Sequence, residues 1–341
     1  MSAGPSVDSA LVDMMGAVFA DYRDTHPPSA TIERDPLLWR HLDELGLVRL
    51  TGPEPQGGSG ASWYEAAELL AAAVNHGVRI PLAEHDLLAC WLLDAAGIPA
   101  DDAVRTVCVL DNRGTATAVP WAASADRIVV VWRGGGGRQV ADVAAARLSI
   151  TAGSNLIGEP RDTVAADLAG LDGTPVGRAL IDQLGLKAAL VRSIQVSAAL
   201  DRILQLCVEH VTARVQFGRP LAKFQAIQNL ISDAAAEAAL ARAATEAALH
   251  AAVTGDWSAP DLDFLVAVSR SCAGHAASVV VRNAHQLHGA IGTTREHRLH
   301  EYTRAALAWR SEFGSVRYWD ERVTDAAMHA SAGALWDLIT G

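Results

Sequence analysis

Apolar residues recur every three to four positions over both ends of the chain, and this spacing predicts helices there. The pattern predicts a short helix from Pro36 to Leu45 that stops at Gly46. A second helix begins after Ser62, an N-cap with Glu65 three residues later, and runs to about Val74. A third spans Pro81–Ala96 and ends at Gly97. Residues 1–105 are therefore predicted to form an N-terminal helical domain.

The apolar pattern changes between residues 106 and 172, where short β-branched runs replace the helical period. Val104–Leu110 and Ile128–Trp132 are predicted strands. A glycine turn at Gly134–Gly137 allows Val140–Leu148 to pair back as a hairpin, and Arg147–Ile150 and Thr163–Leu168 are predicted as further strands. This segment is predicted to form a small central β domain.

Long amphipathic helices return from residue 173 to 341. The first runs from about residue 180 to 211 and the second from about 224 to 238. Three more are predicted over Asp261–His288, Thr294–Arg310 and Phe313–Leu338. Long helices joined by short connections favour an antiparallel bundle. The fold class is thus mainly α, with a C-terminal four-helix bundle.

Charge and composition exclude several classes of protein. The net charge of −11 argues against sequence-independent nucleic-acid binding, which needs a basic surface. Charged residues interrupt each apolar run, so no membrane span is expected. Met1–Asp24 lacks a basic start, which predicts a cytoplasmic protein without a signal peptide. The four widely spaced cysteines are expected to be free thiols.

The segment Arg214–Gln228 carries the first candidate site, RVQFGRPLAKFQAIQ, between two predicted helices. Arg214 and Arg219 offer guanidinium groups to phosphate oxygens, and Phe217 offers a flat surface to a ring. Gly218 permits close approach of a ligand, and Pro220 is expected to start a helix whose amides favour an anion. The alternative is a helix–turn–helix corner with solvated arginines.

The segment QLHGAIGTTREHRLHEYTRA, which starts at Gln286, carries the second candidate site. Gly289 and Gly292 are expected to end one helix and open the next, with Thr293 or Thr294 as its cap. Four histidines fall nearby, but no Glu-x-x-His pair of the di-iron type accompanies them, so no metal is predicted. These histidines are His285, His288, His297 and His300.

Together these two segments resemble the most recognisable motifs of the acyl-CoA dehydrogenase family. The N-terminal stretch from Leu38, with its Pro-Glu…Gly-Gly-x-Gly loop, resembles that family's first helices. The resemblance implies an N-terminal helical domain, a central β domain and a C-terminal bundle, and it implies FAD bound across a subunit interface. The residues it assigns to the cofactor are Arg214, Gln216, Phe217, Gln225, Gln286, His288, Gly289 and Gly292.

The chain departs from the family pattern at the catalytic base. Many members carry a glutamate in a Tyr-Glu-Gly-Thr segment, but aligned on the glycine this chain has Phe313 there, with Glu312 one residue before it. The family's second location for the base, around Lys187–Leu190, holds no carboxylate. The β domain is also shortened. Such short chains resemble the actinobacterial subunits of mixed α2β2 acyl-CoA dehydrogenases.

The function implied by this resemblance is FAD-dependent α,β-dehydrogenation of an acyl-CoA thioester, in fatty acid or steroid side-chain β-oxidation. An electron-transfer flavoprotein or a similar acceptor would take the electrons. Two assemblies are left open: a heterotetramer whose longer partner supplies the base, and a homo-oligomer that uses Glu312. The alternative from another class is a structural or regulatory subunit without flavin turnover.

Overall fold

The computed structural model describes residues 7–29, 32–330 and 336. Contacts divide the chain into two compact units, and the division falls within one long helix between Ala188 and Ala189. The predicted domain boundaries at residues 105 and 172 stay a prediction. Each unit is described by itself below.

The N-terminal unit begins with three helices, α1 (Ser9–Thr25), α2 (Pro36–Glu44) and α3 (Trp63–His76). Helix α1 packs on α3. The predicted capping box at the start of α3 is confirmed, because Ser62 and Glu65 satisfy each other's backbone groups. Gly46 and Gly97 end their helices as predicted, with positive φ angles of 72° and 67°.

The third predicted helix is helical but not regular. Residues Ala83–Cys90 form a π-helix that continues into α4 (Trp91–Ala95). The wider turns carry three consecutive buried polar residues, Glu84, His85 and Asp86. Asp86 accepts hydrogen bonds from the backbone and hydroxyl of Thr51, and His85 accepts one from the backbone N–H of Arg105. The apolar period did not reveal this π-helix, because it averages over several turns.

Two sheets follow in the same unit. The larger has the order β1–β3–β4–β7 and the smaller the order β2–β6–β5. The predicted hairpin is confirmed: β3 and β4 are antiparallel, and Gly134 pairs with Gly137. Trp121 is buried. The strands are β1 (Arg105–Val109), β2 (Thr115–Pro120), β3 (Arg127–Gly134), β4 (Gly137–Ala144), β5 (Ser149–Thr151), β6 (Arg161–Ala165) and β7 (Thr174–Val176).

Strands β2 and β7 were not predicted from the sequence. Strand β2 is rich in alanine and threonine and has an irregular register, so it lacks the alternation of large apolar residues that marks a strand. Strand β7 has only three residues and contains Pro175. Their partners, β6 and β4, make them strands.

Long helices form the C-terminal unit. Helix α5 (Arg178–Ala213) spans both units, and α6 (Gln225–Thr254) packs on α7 (Leu262–His288). A small hairpin of β8 (Val215–Gln216) and β9 (Arg219–Pro220) separates α5 from α6. Helices α8 (Leu299–Trp309) and α9 (Val316–His329) also contact α7.

Three predicted helix boundaries in this unit are wrong. Pro220 does not start α6, which begins five residues later, because the hairpin and a 3₁₀ turn intervene. Thr293 and Thr294 do not cap α8; a 3₁₀ turn covers Gly289–Thr293, and α8 begins at Leu299. Helix α9 begins at Val316, not at Phe313. Most of the predicted end of that helix, beyond Ala330, lies outside the described residues.

One described segment, Leu262–Thr293, is long and apolar enough to cross a bilayer by length and composition. The expectation that charge interrupts every apolar run early is therefore wrong for this helix. However, 56% of its most apolar stretch is buried inside the protein. The apolar surface of α7 thus packs against neighbouring helices, as in the core helix of a soluble protein.

Candidate functional site

The hairpin between α5 and α6 presents an aromatic ring to solvent. Its turn residues, Phe217 and Gly218, both have positive φ angles, 52° and 77°. This left-handed conformation suits glycine but strains a bulky residue by about 1–2 kcal/mol. Phe217 is nevertheless held in it, and its side chain is 88% exposed. A strained, exposed aromatic residue at a turn is typical of a contact surface.

Two contacts with the ring of Phe224 hold the hairpin in place. The guanidinium of Arg219 lies 4.2 Å over the ring of Phe224. The ring of Phe224 in turn meets Phe217 edge to face, with 6.0 Å between the ring centroids. The guanidinium of Arg219 thus packs on an aromatic ring. Of the two arginines that the sequence suggests for binding phosphate, Arg214 is therefore the better candidate.

Arg214 lies at the junction of α5 and the hairpin. Its backbone is fixed at both ends, since its N–H donates to the carbonyl of His210 and its carbonyl accepts from the N–H of Leu221. Its side chain is exposed and makes no hydrogen bond or ion pair with any residue that the structure describes. A fixed backbone with a free guanidinium is well suited to bind an anion.

The second motif ends α7 with two glycines that do different things. Gly289 has φ 61° and ψ −140°, a conformation open essentially to glycine alone, and a Cβ there would meet nothing within 4 Å. Gly292 is buried, and a Cβ there would lie 2.7 Å from the Cβ of His288 and 3.2 Å from Leu299. Gly289 therefore leaves open space beside the backbone, whereas Gly292 lets the chain pack closely.

The two motifs line one pocket with a volume of about 690 Å³. That volume is in the range of pockets for small molecules and cofactors. Of the predicted cofactor residues, Gln225 and Gly292 do not line it: Gln225 is the exposed first residue of α6, and Gly292 is buried behind His288. The predicted residues that line it are Arg214, Gln216, Phe217, Gln286, His288 and Gly289.

Three histidines lie together at the pocket, and the sequence grouped only two of them. His210 stacks on His288 with 4.4 Å between ring centroids, and His297 lies 4.6 Å from His288. Burial lowers the pKa of His288 to about 4. Burial also lowers the pKa values of His210 and His297. All three imidazoles are therefore neutral near pH 7.

The segment that resembles the family's base region has a different character. The carboxylate of Glu312 accepts a hydrogen bond from Nε of the buried Arg192 at 2.7 Å. The guanidinium of Arg192 also lies 5.1 Å from the ring of Phe313, whose φ angle is 54°. Glu312 and Phe313 are thus both engaged by the same arginine.

A second buried arginine, Arg270 on α7, holds the backbone of this segment. Its Nη2 donates to the carbonyls of Glu312 and Arg310 at 2.8 and 3.0 Å and lies within 3.5 Å of the carbonyls of Trp309 and Gly314. Burial lowers the pKa of Arg270 to about 9, with a smaller contribution from Arg192. Arg270 remains charged at neutral pH and pins the loop that follows α8.

Comparison with known proteins identifies the family of this chain. The family model for the C-terminal domain of acyl-CoA dehydrogenases matches residues 180–317. The acyl-CoA dehydrogenase IpdE2 of Mycobacterium tuberculosis is 30% identical over 278 residues, which cover 80% of each chain.

The chain belongs to the acyl-CoA dehydrogenase family. Two solved structures share its fold. The ChsE4–ChsE5 complex of Mycobacterium tuberculosis matches with a TM-score of 0.81 at 23% identity, over 96% of this chain and 99% of the other. The Tcur3481–Tcur3483 steroid ACAD matches with a TM-score of 0.81 at 21% identity, over 95% and 98%. The predicted family and fold class are confirmed.

Three residues of this family member escaped the sequence argument: His210, Arg192 and Arg270. A signal existed for His210, because it lies in the last turn of α5, only four residues before Arg214. None existed for Arg192, which is 120 residues from Glu312 in sequence. The apolar helix α7 likewise gave no sign that Arg270 binds carbonyls 40 residues away.

Proposed function

We propose that this chain binds FAD as one subunit of an oligomeric acyl-CoA dehydrogenase. The pocket lined by Arg214, Gln286 and Gly289 would hold the adenosine diphosphate half of the cofactor. The observation that carries this proposal is the free guanidinium of Arg214 in a pocket to which both family motifs contribute.

The residues of the pocket fit such a ligand. Pyrophosphate is an anion, and Arg214 is a cation without a partner among the described residues. The ring of Phe217 offers a flat apolar face, and the side-chain amides of Gln216 and Gln286 offer both donors and acceptors. The open space at Gly289 lets a ligand approach the backbone closely.

The proposed reaction is α,β-dehydrogenation of an acyl-CoA thioester. The chemistry that FAD supplies when bound is acceptance of the hydride that leaves the β-carbon. A carboxylate must remove the α-proton. To do so, Glu312 would have to leave Arg192, while the ring of Phe313 offers no base. We therefore propose that the base comes from a second, longer chain of the same family.

Similar proteins support a mixed assembly. The structure of ChsE4 is that of a complex with ChsE5, and Tcur3481–Tcur3483 is described as a steroid ACAD. We propose that this chain forms a heterotetramer with a second chain of the family, and a bulky, steroid-derived acyl group is the first substrate to assay. The proposed acceptor is an electron-transfer flavoprotein, and the proposed location is the cytoplasm.

The cofactor proposal is tested by purifying the full chain with its partner and measuring bound flavin by absorbance. We expect flavin in the wild-type complex and at least a tenfold weaker affinity in Arg214→Ala. The matched control is Arg282→Ala, which removes an exposed arginine of α7 outside the pocket. Loss of flavin in both variants alike, or in neither, contradicts the proposal.

The partner proposal is tested by turnover of the flavin-loaded chain with and without the second chain. We expect dehydrogenation only when both are present. Turnover by this chain alone that is lost in Glu312→Gln contradicts the proposed origin of the base. A complex that turns over normally but carries no flavin at this pocket favours the structural-subunit alternative.

A further inference from the structure

A cluster of three imidazoles lies at the base of the pocket. His210 comes from α5, His288 from the end of α7 and His297 from the bend before α8. One ring nitrogen from each lies within 4.8 Å of the other two. His210 and His288 also line the pocket, so the cluster is accessible from it. We name these three residues the histidine cluster.

The hydrogen bonding of His288 identifies its tautomer. Its Nδ1 lies 2.8 Å from the carbonyl of Ala284, which only accepts, so Nδ1 carries the proton. The lone pair is therefore on Nε2. This atom is buried and has no hydrogen-bond partner among the described residues, in a side chain that is only 5% exposed. A buried lone pair with no partner is costly unless something occupies it.

This arrangement has the form of a metal ligand. Histidines that bind metals almost always donate the other ring N–H to a carbonyl or a carboxylate, which fixes the ring and the tautomer. His288 does so through Ala284. His210 makes no ring hydrogen bond within the described part of the chain, so its nitrogens are also available.

His297 can bind a metal only if it loses a hydrogen bond. Its Nδ1 accepts a hydrogen bond from the N–H of Leu299 at 3.1 Å, so its neutral ring carries the proton on Nε2. Ligation through Nε2 requires that this proton move to Nδ1, and the hydrogen bond from Leu299 is then lost. His297 lies in a bend between a 3₁₀ turn and α8, not within a helix, so its ring can adjust.

We propose that His210, His288 and His297 form a site for a divalent transition metal of the Zn²⁺ class. Neutral imidazole suits Zn²⁺, Ni²⁺ and Cu²⁺, whereas Mg²⁺ and Ca²⁺ require oxygen ligands. Tetrahedral coordination at Zn–N distances of about 2.0–2.1 Å needs the nitrogens about 3.3 Å apart. The three rings must therefore close from separations of up to 4.8 Å by side-chain rotation. Since His210 and His288 line the pocket, a water molecule or a phosphate oxygen from it would supply the fourth ligand.

The expectation from sequence that no metal binds weighed a different set of residues. It considered His285, His288, His297 and His300, which lie close together along the chain, and found no Glu-x-x-His pair of the di-iron type. In the structure, His288 and His297 lie beside His210 and form a cluster with it that does not include His285 or His300. His210 is 78 residues before His288 in sequence. Three imidazoles do not need a carboxylate to bind Zn²⁺.

The test is a metal titration of the full chain, purified without a histidine tag and stripped by a chelator. Zn²⁺ affinity is measured by competition with a colorimetric chelator, and Co²⁺ is used to record the ligand-field absorption of the site. We expect one equivalent of tight binding in the wild type. We expect His210→Ala and His288→Ala to weaken it by at least about 100-fold.

The matched control is His285→Ala, which removes a histidine one turn before His288 on the same helix. This variant is expected to bind Zn²⁺ as the wild type does. Should His288→Ala fail to fold, His210→Ala carries the test, because His210 is only partly buried. Zn²⁺ should raise the Tm of the wild type but not that of His210→Ala. Wild-type binding no tighter than that of His210→Ala, or equal loss in His285→Ala, overturns the proposal.

Discussion

The pocket and the base region of the C-terminal unit use arginine in opposite ways. At the pocket, the side chain of Arg214 is exposed and has no partner among the described residues. At the base region, Arg192 and Arg270 are each only 1% exposed. Their guanidinium groups bind the carboxylate of Glu312 and the carbonyls around it.

This difference separates a binding site from a structural one. A buried guanidinium can hydrogen-bond only to the protein around it, so it restrains the groups that it contacts. An exposed one without a partner is free for a ligand. In the region that resembles the cofactor motif, the guanidinium of Arg214 is available to a ligand. In the region that resembles the catalytic segment, Glu312 is already bound by Arg192 and Arg270.

The largest effect is expected at Arg270. Arg270→Ala removes the donor to the carbonyls of Arg310 and Glu312 in the loop after α8, and both carbonyls lose this hydrogen bond. We expect the free energy of unfolding to fall by about 3–5 kcal/mol, because two carbonyls lose a charged donor and a large buried side chain leaves a cavity. Urea denaturation measures this, with Arg282→Ala on the same helix as a control that changes it by less than about 0.5 kcal/mol. A loss in Arg270→Ala as small as the control's would show that this arginine is not structural.

Glu312→Gln tests whether the carboxylate is structural. It removes the charge that pairs with the buried guanidinium of Arg192. We expect a loss of about 2 kcal/mol in the free energy of unfolding, since a buried cation loses its counter-charge. Glu296→Gln, at an exposed glutamate before α8, is the control. Unchanged stability in Glu312→Gln would show that the carboxylate is not needed for structure. Glu312 would then be a candidate for the base, and the two regions would no longer differ in this respect.

The acid dependence of stability reports on His288. Burial lowers its pKa in the folded state to about 4, below the unfolded value of 6.5. Below pH 6.5 the unfolded state therefore binds the proton and the folded state does not, so stability falls as the pH drops from 6.5 towards 4. We expect the wild type to lose about 2 kcal/mol more than His288→Gln between pH 7 and pH 4.5.

The comparison with the variant is needed because other buried groups titrate over the same range, among them His210 and His297, whose pKa values burial also lowers. Burial lowers the pKa of His85 to about 3, which gives the same sign over this range. Burial raises the pKa of Asp86 to about 6, and this gives the opposite sign. Both contributions are present in the wild type and in the variant and cancel. Parallel pH profiles for the two proteins would contradict the assignment.

The last comparison concerns two glycines of the two motifs. Gly292→Ala forces a Cβ to 2.7 Å from that of His288, and we expect a loss of about 1–3 kcal/mol. Gly218→Ala adds a Cβ in open space but keeps a φ of 77°, and we expect a loss of about 1 kcal/mol. Thermal denaturation of both variants measures the order. A larger loss in Gly218→Ala would show that close packing at Gly292 does not shape the pocket.

Periodicity was enough to predict the long helices and the hairpin of β3 and β4, because each has a local cause. The capping box at Ser62 and the glycine turn at Gly134 fix their elements with neighbouring residues. The π-helix at Ala83–Cys90 and strand β7 were not predictable in this way, since distant residues stabilise them.

In the candidate site, too, local features were predictable from the sequence and contacts between distant residues were not. The motifs at Arg214 and Gln286 are short, and residues of both line one pocket. The arginine that engages Glu312 and the histidine that joins His288 come from α5, far away in sequence. Arg192 meets Glu312, and His210 meets His288, because α5 packs against the end of α7 and the loop after α8. A local sequence pattern cannot predict such a contact.

The most direct test of the contrast between the two regions is ADP binding, measured by calorimetry on the wild type, Arg214→Ala and Glu312→Gln. ADP represents the anionic half of the proposed cofactor. We expect Arg214→Ala to weaken binding by at least tenfold without loss of stability. We expect Glu312→Gln to bind ADP as the wild type does while its stability falls. ADP affinity that depends on Glu312 and not on Arg214 would contradict the assignment of both regions.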